Sequence, residues 1–230
     1  MPLNKAKGNM YSWVTHTHAH LGGECPHKCI YCYVDSPRFG RPARYKGKVR
    51  LIEKEFNVQY GTGKTIFIEH MNDLWANEVP EEYVLEILKH CWQYLENIYV
   101  FQTKNPARYH ELQGLITIPP DAILGCTIET NRPITAEISL APQPETRMQL
   151  MEALTERKFI TIEPVFDFDV DILASWMDRI RPEFLNLGAD SKDHGLPEPT
   201  VDKIERFVKK LAEYGIELRE KHNLGRLMKG

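Results

Sequence analysis

The chain has 230 residues, 42% hydrophobic and 27% charged, with a formal net charge of −3, which predicts one globular domain, residues 1–230. No stretch approaches the roughly 18 consecutive apolar residues that cross a bilayer, and the opening MPLNKAKGNM lacks a signal-peptide core, so the expectation is a cytoplasmic protein with no membrane partner. Five cysteines, three of them between positions 25 and 32, make poor disulfide arithmetic and point to metal instead.

In chain order, a first strand over 12–16 runs into His16, His18 and His20, and a Gly22-Gly23 turn then leads to the cysteines. Residues 36–51 carry Arg38, Arg41, Arg44, Lys46, Lys48 and Arg50 with no acid among them. The run GTGKT, 61–65, imitates the end of a phosphate-binding loop. It has Val58 where the first glycine belongs and enters a strand rather than a helix, so it reads as a turn. A strand follows at 65–71, then a helix at 81–96 with Tyr83, Val84, Ile87, Leu88, Cys91 and Leu95 on one stripe. Strands at 98–104 and 122–129 precede a helix at 145–157 with Met148, Leu150, Met151 and Leu154 as its core face. The last elements are a strand at 159–166, a helix at 170–180, a strand at 184–189, a helix at 200–214 capped by Thr200, and a strand at 215–220.

Strands alternating with amphipathic helices imply right-handed βαβ units and a parallel sheet. With about six to seven parallel strands, the fold class is α/β, a partial (β/α) barrel with the cysteine loop after its first strand. Chemistry in such a barrel sits at the C-terminal ends of the strands. The polar residues there are Glu69, Asn72 and Asp73, then Gln102 and Lys104, Thr127 and Glu129, Thr161 and Glu163, and Asn186 and Asp190. Any one of them can equally be a satisfied buried polar group.

Cys25, Cys29 and Cys32 form the spacing CxxxCxxC. Three thiolates on one loop can hold three irons of a 4Fe–4S cluster and leave the fourth iron open. Cys91 lies mid-helix and Cys126 alternates out of phase with Thr127 and Glu129, so neither offers a fourth ligand. The competing readings are zinc held by the three cysteines with His27 or an upstream histidine, a redox dithiol, and inert buried thiols. The HTHAH histidines, 16–20, allow a metal-dependent hydrolase, although later strand ends offer Glu163 and Asp190 rather than further histidines. Alternatively they pack beside a cluster and donate to its sulfurs. The basic segment, with Phe39 and Tyr45 interleaved, fits either nucleic-acid phosphates or a solvated loop.

The cysteine spacing, with Tyr31 just before the third cysteine and a partial barrel around it, resembles the radical S-adenosylmethionine (SAM) superfamily. Asn72-Asp73-Leu74, FQTKNP (101–106), LGCTIETN (124–131), TIEPVF (161–166) and LNLGADS (185–191) are similar to blocks of the phage-type Gp37/Gp68 (DUF5131) group and, more remotely, of the spore photoproduct lyase group. The resemblance implies a 4Fe–4S cluster on the three cysteines and SAM as second cofactor, cleaved to a 5′-deoxyadenosyl radical that takes hydrogen from an unidentified substrate. It implies Tyr31 near the adenine, Thr127 and Glu129 near the ribose, and Lys104 at the methionine carboxylate. Glu69, Asn72 or Asp73 would meet the methionine amino group, and Glu163 and Asp190 would orient cofactor or substrate. The partners it implies are a flavodoxin- or ferredoxin-like one-electron reductant and, through Arg38–Arg50, nucleic acid.

Overall fold

The computed structural model describes residues 3–35, 43–192 and 194–229, so Arg38, Phe39 and Arg41 lie outside the described residues. The chain divides into two compact units, one of Met1–Lys28 and Cys32–Leu124, the other of Cys29–Tyr31 and Gly125–Gly230.

In the first unit, β1 (Asn4–Lys5) runs antiparallel to β2 (His16–His18), and β3 (Leu21–Gly22) pairs antiparallel with β4 (Arg50–Leu51). Parallel to β2 lies β5 (Thr65–Ile68), and parallel to that lies β6 (Ile98–Thr103). The first parallel strand thus begins at His16 rather than near residue 12. Before it the chain turns, with Val14 N–H donating to Tyr11 O and Trp13 stacked on Tyr11 at 5.3 Å.

Between β5 and β6 lies α1 (Glu81–Trp92), which buries Val84, Ile87, Leu88 and Cys91 at helical spacing and carries Glu81 and Glu82 in its first turn, where acids favour the helix dipole. It stops four residues earlier than its apolar stripe predicts, leaving Leu95 44% exposed. Buried Asn97 explains the stop. Its amide donates to Gly61 O and Tyr94 O while its carbonyl accepts from Lys64 N, fastening the strand entry to the 61–64 turn. Gly61 and Gly63 both take positive φ there, so GTGKT is a turn. The short α2 (Ala107–Glu111) was not anticipated; its Tyr109 packs edge-on against Trp75 at 4.7 Å.

The chain passes between the units within β7 (Ile123–Thr127). The second unit continues with α3 (Pro144–Ala153), β8 (Lys158–Ile162), α4 (Val170–Ile180), β9 (Phe184–Leu187), α5 (Val201–Glu213) and β10 (Glu217–Glu220). Strands β8, β9 and β10 are mutually parallel, and α4 packs against both α3 and α5. Phe168 and Phe207 meet at 5.2 Å in this helix layer. On β7, Gly125 is required for packing, because a Cβ there would lie 2.2 Å from the Phe159 ring. Thr200 caps α5 by accepting from Lys203 N, worth about 1 kcal/mol in such a position. The whole is mixed α/β with a largely parallel sheet of about seven strands, the architecture of a partial β/α barrel. Among the described residues no helix is long and apolar enough to cross a membrane.

Candidate functional site

The cysteine loop leaves β3 through Gly23, whose φ of 89° and close approach admit only glycine: a Cβ would sit 2.2 Å from Lys48 O. Gly23 N–H donates to Arg44 O at 2.8 Å and Glu24 N–H to Gly47 O at 2.9 Å. Two arginines of the basic segment serve this local structure. Arg44 reaches Glu55 Oε1 at 2.7 Å and the carbonyls of Ala19 and Leu21, while Arg50 donates to the carbonyls of Arg44, Lys46 and Lys48. Of the six charges proposed to face nucleic acid, Arg38 and Arg41 lie outside the described residues, Arg44 is half-buried, and Lys46, Lys48 and Arg50 are exposed.

Glu69 directly follows β5 in a left-handed conformation, φ 59°, and turns its carboxylate inward to the backbone N–H groups of His20 and Leu21. Its Oε1 also faces His20 Nδ1 at 3.0 Å. His20 Nε2 lies 2.8 Å from His90 Nδ1, and His90 Nε2 lies 3.0 Å from Val58 O. A carbonyl only accepts, so His90 carries its proton on Nε2 and accepts at Nδ1, and His20 must donate from Nε2. One proton is then held between His20 Nδ1 and Glu69 Oε1. Burial raises Glu69 to about 7 and lowers His20 to about 3, which puts that proton on Glu69 near neutrality. Burial, and then the neighbouring His20, likewise hold His18 and His90 at about 4. His18 and His20 are thus buried neutral members of a polar network.

The next carboxylate is differently used. Asp73 Oδ2 accepts from His27 Nε2 at 2.7 Å, Thr103 Oγ1 at 2.9 Å and Lys104 N at 2.8 Å, and Oδ1 accepts from Trp75 N at 2.9 Å. Burial would raise this carboxyl, but His27 beside it and these hydrogen bonds outweigh burial and hold it below the usual carboxylate range. Half-buried Asn72 donates to Gly23 O at 3.1 Å, and its carbonyl accepts from Asp73 N. Lys104 meets Asp73 through its backbone N–H.

In the second unit, Cys29 Sγ lies 3.1 Å from Ser139 Oγ, and Ile30 N–H donates to Ile138 O at 3.0 Å. Tyr31 donates its hydroxyl to Glu129 Oε1 at 2.6 Å, with its ring edge-on to Phe166 at 5.5 Å. Burial, and then the Glu129 charge, push the Tyr31 phenol well above its ordinary value. The other oxygen of Glu129 takes Arg147 Nη1 at 2.7 Å, and both side chains are wholly buried. Arg147 also donates to Thr127 O at 2.8 Å and Pro142 O at 2.6 Å. Its Nη2 is buried without a hydrogen-bond partner.

Glu163 pairs with Lys221 at 2.6 Å and accepts from Asn223 at 2.9 Å. Asp190 accepts from Lys192 N and His194 N and faces His194 Nδ1 at 2.8 Å; burial raises it, but His194 and the backbone donors outweigh that and lower it. The C-terminal 3-10 segment, His222–Lys229, thus supplies Asn223 at the end of β8, with Lys221 immediately before it. Sequence reasoning missed Arg147, His90, His194 and Lys221. Arg147 left one signal: a carboxylate such as Glu129, expected on an inward strand position, requires a cation.

The family model described as "Protein of unknown function (DUF5131)" matches residues 12–180. The chain belongs to the DUF5131 family. Among solved structures, a point mutant of spore photoproduct lyase is similar, with a TM-score of 0.61 at 8% identity, over 94% of this chain and 80% of that one. A double mutant of the same enzyme with bound AdoMet and dinucleoside spore photoproduct gives 0.53 at 10% identity, over 91% of this chain and 66% of that one. A radical SAM methyltransferase from Sphaerobacter thermophilus gives 0.51 at 12% identity, over 91% and 67%. What these likenesses share with this DUF5131 chain is the fold. No curated protein matches the sequence.

Three thiols at CxxxCxxC spacing are the donor type that an iron–sulfur cluster takes. None of the five cysteines is in a disulfide, and three of the thiols lie within eight residues. A mononuclear zinc site gathers all its donors within about 2.3 Å of one point, whereas a cluster takes one thiolate per iron and spreads them. Among the described residues, no three His, Cys, Asp or Glu side chains are grouped closely enough to hold a metal ion.

Proposed function

We propose that this DUF5131 protein is a radical SAM enzyme, with Cys25, Cys29 and Cys32 holding a 4Fe–4S cluster and SAM as second cofactor. The observation that carries the reading is the CxxxCxxC loop of unbridged thiols on a partial β/α barrel. The chemistry a reduced cluster supplies when bound is one-electron cleavage of SAM to methionine and a 5′-deoxyadenosyl radical, which removes a hydrogen atom from the substrate. A flavodoxin- or ferredoxin-like protein is the electron donor.

The chain's own residues fix the loop that bears the thiols. Asn72 holds its entry at Gly23 O, and Tyr31, placed just before Cys32, is held by Glu129, itself locked by Arg147. Glu129 therefore acts first as an anchor, and a ribose hydroxyl would have to share its oxygens with Tyr31 and Arg147. Glu163 and Asp190, at the ends of β8 and β9, orient cofactor or substrate with Lys221 and His194 beside them. Cys91 in α1 and Cys126 in β7 stand apart in sequence from the three-cysteine loop and are not assigned to the cluster.

The test is iron retention after anaerobic reconstitution. Cys25→Ala, Cys29→Ala or Cys32→Ala should each lose the cluster, while Cys91→Ala and Cys126→Ala keep it. Loss of all iron from Cys91→Ala or Cys126→Ala would contradict the three-ligand assignment.

A further inference from the structure

We propose that Asp73 is a positioning residue acting through His27, tethering the segment between Cys25 and Cys29 and setting the reduction potential of the cluster there, rather than receiving the methionine amino group. The inference rests on the cluster reading above.

Saturation is the first argument. An ionised carboxylate offers about four lone-pair sites. Asp73 has four donors already: His27 Nε2, Thr103 Oγ1 and the N–H groups of Lys104 and Trp75, all at 2.7–2.9 Å. Two of the donors are backbone groups of the segments following β5 and β6, so the carboxylate is fixed to the scaffold before it meets His27. An incoming ammonium would have to displace one of these partners, each then left buried and unpaired.

Position is the second. His27 stands two residues from Cys25 and two from Cys29, and both His27 and Asp73 are buried. Directly after it, Lys28 takes φ 49°, a left-handed conformation that a residue with a Cβ adopts at a cost of about 1 kcal/mol or more. A turn of that kind between two ligand positions needs a neighbour that holds it, and the 2.7 Å imidazole–carboxylate contact is that neighbour. The arrangement copies the carboxylate–imidazole pairs that orient ligands around metal centres. A buried negative charge one imidazole away from a ligand loop also disfavours adding an electron nearby, because Coulomb interactions act over several ångströms in a low-dielectric interior.

The experiment uses the reconstituted full chain and three readouts: iron content, SAM affinity by anaerobic calorimetry, and the midpoint potential of the SAM-free cluster followed by EPR. Asp73→Asn should keep its iron, bind SAM within about twofold of the parent, and show a less negative potential; this follows from removing the charge while the remaining carbonyl oxygen still accepts from His27. His27→Ala leaves the Asp73 charge without its imidazole partner and should shift the potential the opposite way, to more negative, and adding Asp73→Asn to it should cancel most of that shift. His27→Gln, which keeps a donor for Asp73, should recover most of the parent potential. A tenfold or greater loss of SAM affinity in Asp73→Asn with an unmoved SAM-free potential would overturn the tether and make Asp73 a direct ligand of the amino group. Unchanged potential in both single variants would also overturn it. A parent protein that takes up no cluster would instead refute the proposed function, so the two failures are distinguishable.

Discussion

Glu69 in the first unit and Glu129 in the second are both fully buried carboxylates placed just after parallel strands, and the chain satisfies them by opposite means. Glu129 is given a permanent cation, Arg147, at 2.7 Å, with Tyr31 on its other oxygen. Glu69 is given two backbone N–H groups and a neutral imidazole, and keeps a proton near pH 7. The difference teaches what each site is built to do. A carboxylate locked by arginine is fixed in charge and geometry, whereas one among histidines can gain or lose a proton without leaving its place.

The sharpest way to break this comparison is to remove the cation. Arg147→Ala leaves the buried Glu129 charge without its cation and should destabilise the protein by about 3–5 kcal/mol, read from the denaturant midpoint. A loss below about 1 kcal/mol, the size of an exposed pair, would show that Glu129 is not held by charge.

Acid should distinguish the first unit next. His18, His20 and His90 have folded values of about 4, 3 and 4, below their ordinary 6.5, so the unfolded chain takes protons first as pH falls. Their stabilisation is present above pH 6.5 and is lost on descending toward pH 4. Glu69, raised to about 7 from 4.5, contributes in the opposite sense, its stabilisation being lost as pH rises from 4.5 through 7. Three groups oppose one, so stability should decrease from pH 6.5 to 4, each net proton counting for at most about 1.4 kcal/mol per pH unit. Denaturation curves at half-unit steps check the slope, and a flat profile across that window would mean these histidines are protonated in the folded state.

The smallest expected effect sharpens the proton assignment. A glutamine at 69 can donate from its amide to His20 Nδ1 but no longer accepts from the His20 N–H at that atom, so Glu69→Gln should cost about 1–3 kcal/mol at pH 5.5. The deficit should shrink at pH 8, where the parent has lost that proton. A variant destabilised equally at both pH values would place the proton on His20 instead.

The architecture was largely legible because the helix stripes are strong: Leu173, Trp176, Met177 and Ile180 on α4 and Ile204, Phe207 and Leu211 on α5 are buried as their spacing predicts, although Ile172 of the same α4 stripe is exposed. Boundaries were less so. Leu95 fits the α1 stripe, but the buried Asn97 turn ends the helix before it, an outcome set by a partner 36 residues away in sequence. Glu129 was singled out by strand phase and Asp73 by its place after a strand, and both are buried. What the strand phase could not show is who occupies each carboxylate. Arg147 sits at an inward position of α3, where hydrophobicity patterns expect no arginine, and His90 hides in an apolar stripe. Polar partners are chosen in three dimensions, and one-dimensional periodicity passes over them.

The central claim, that the loop supports reductive SAM cleavage, is tested most directly by the products. Anaerobically reconstituted protein reduced with dithionite and given SAM without substrate should be brown and should slowly release 5′-deoxyadenosine and methionine, in amounts that vanish in Cys29→Ala. A colourless protein holding one zinc, or methylthioadenosine as the sole nucleoside product, would contradict it.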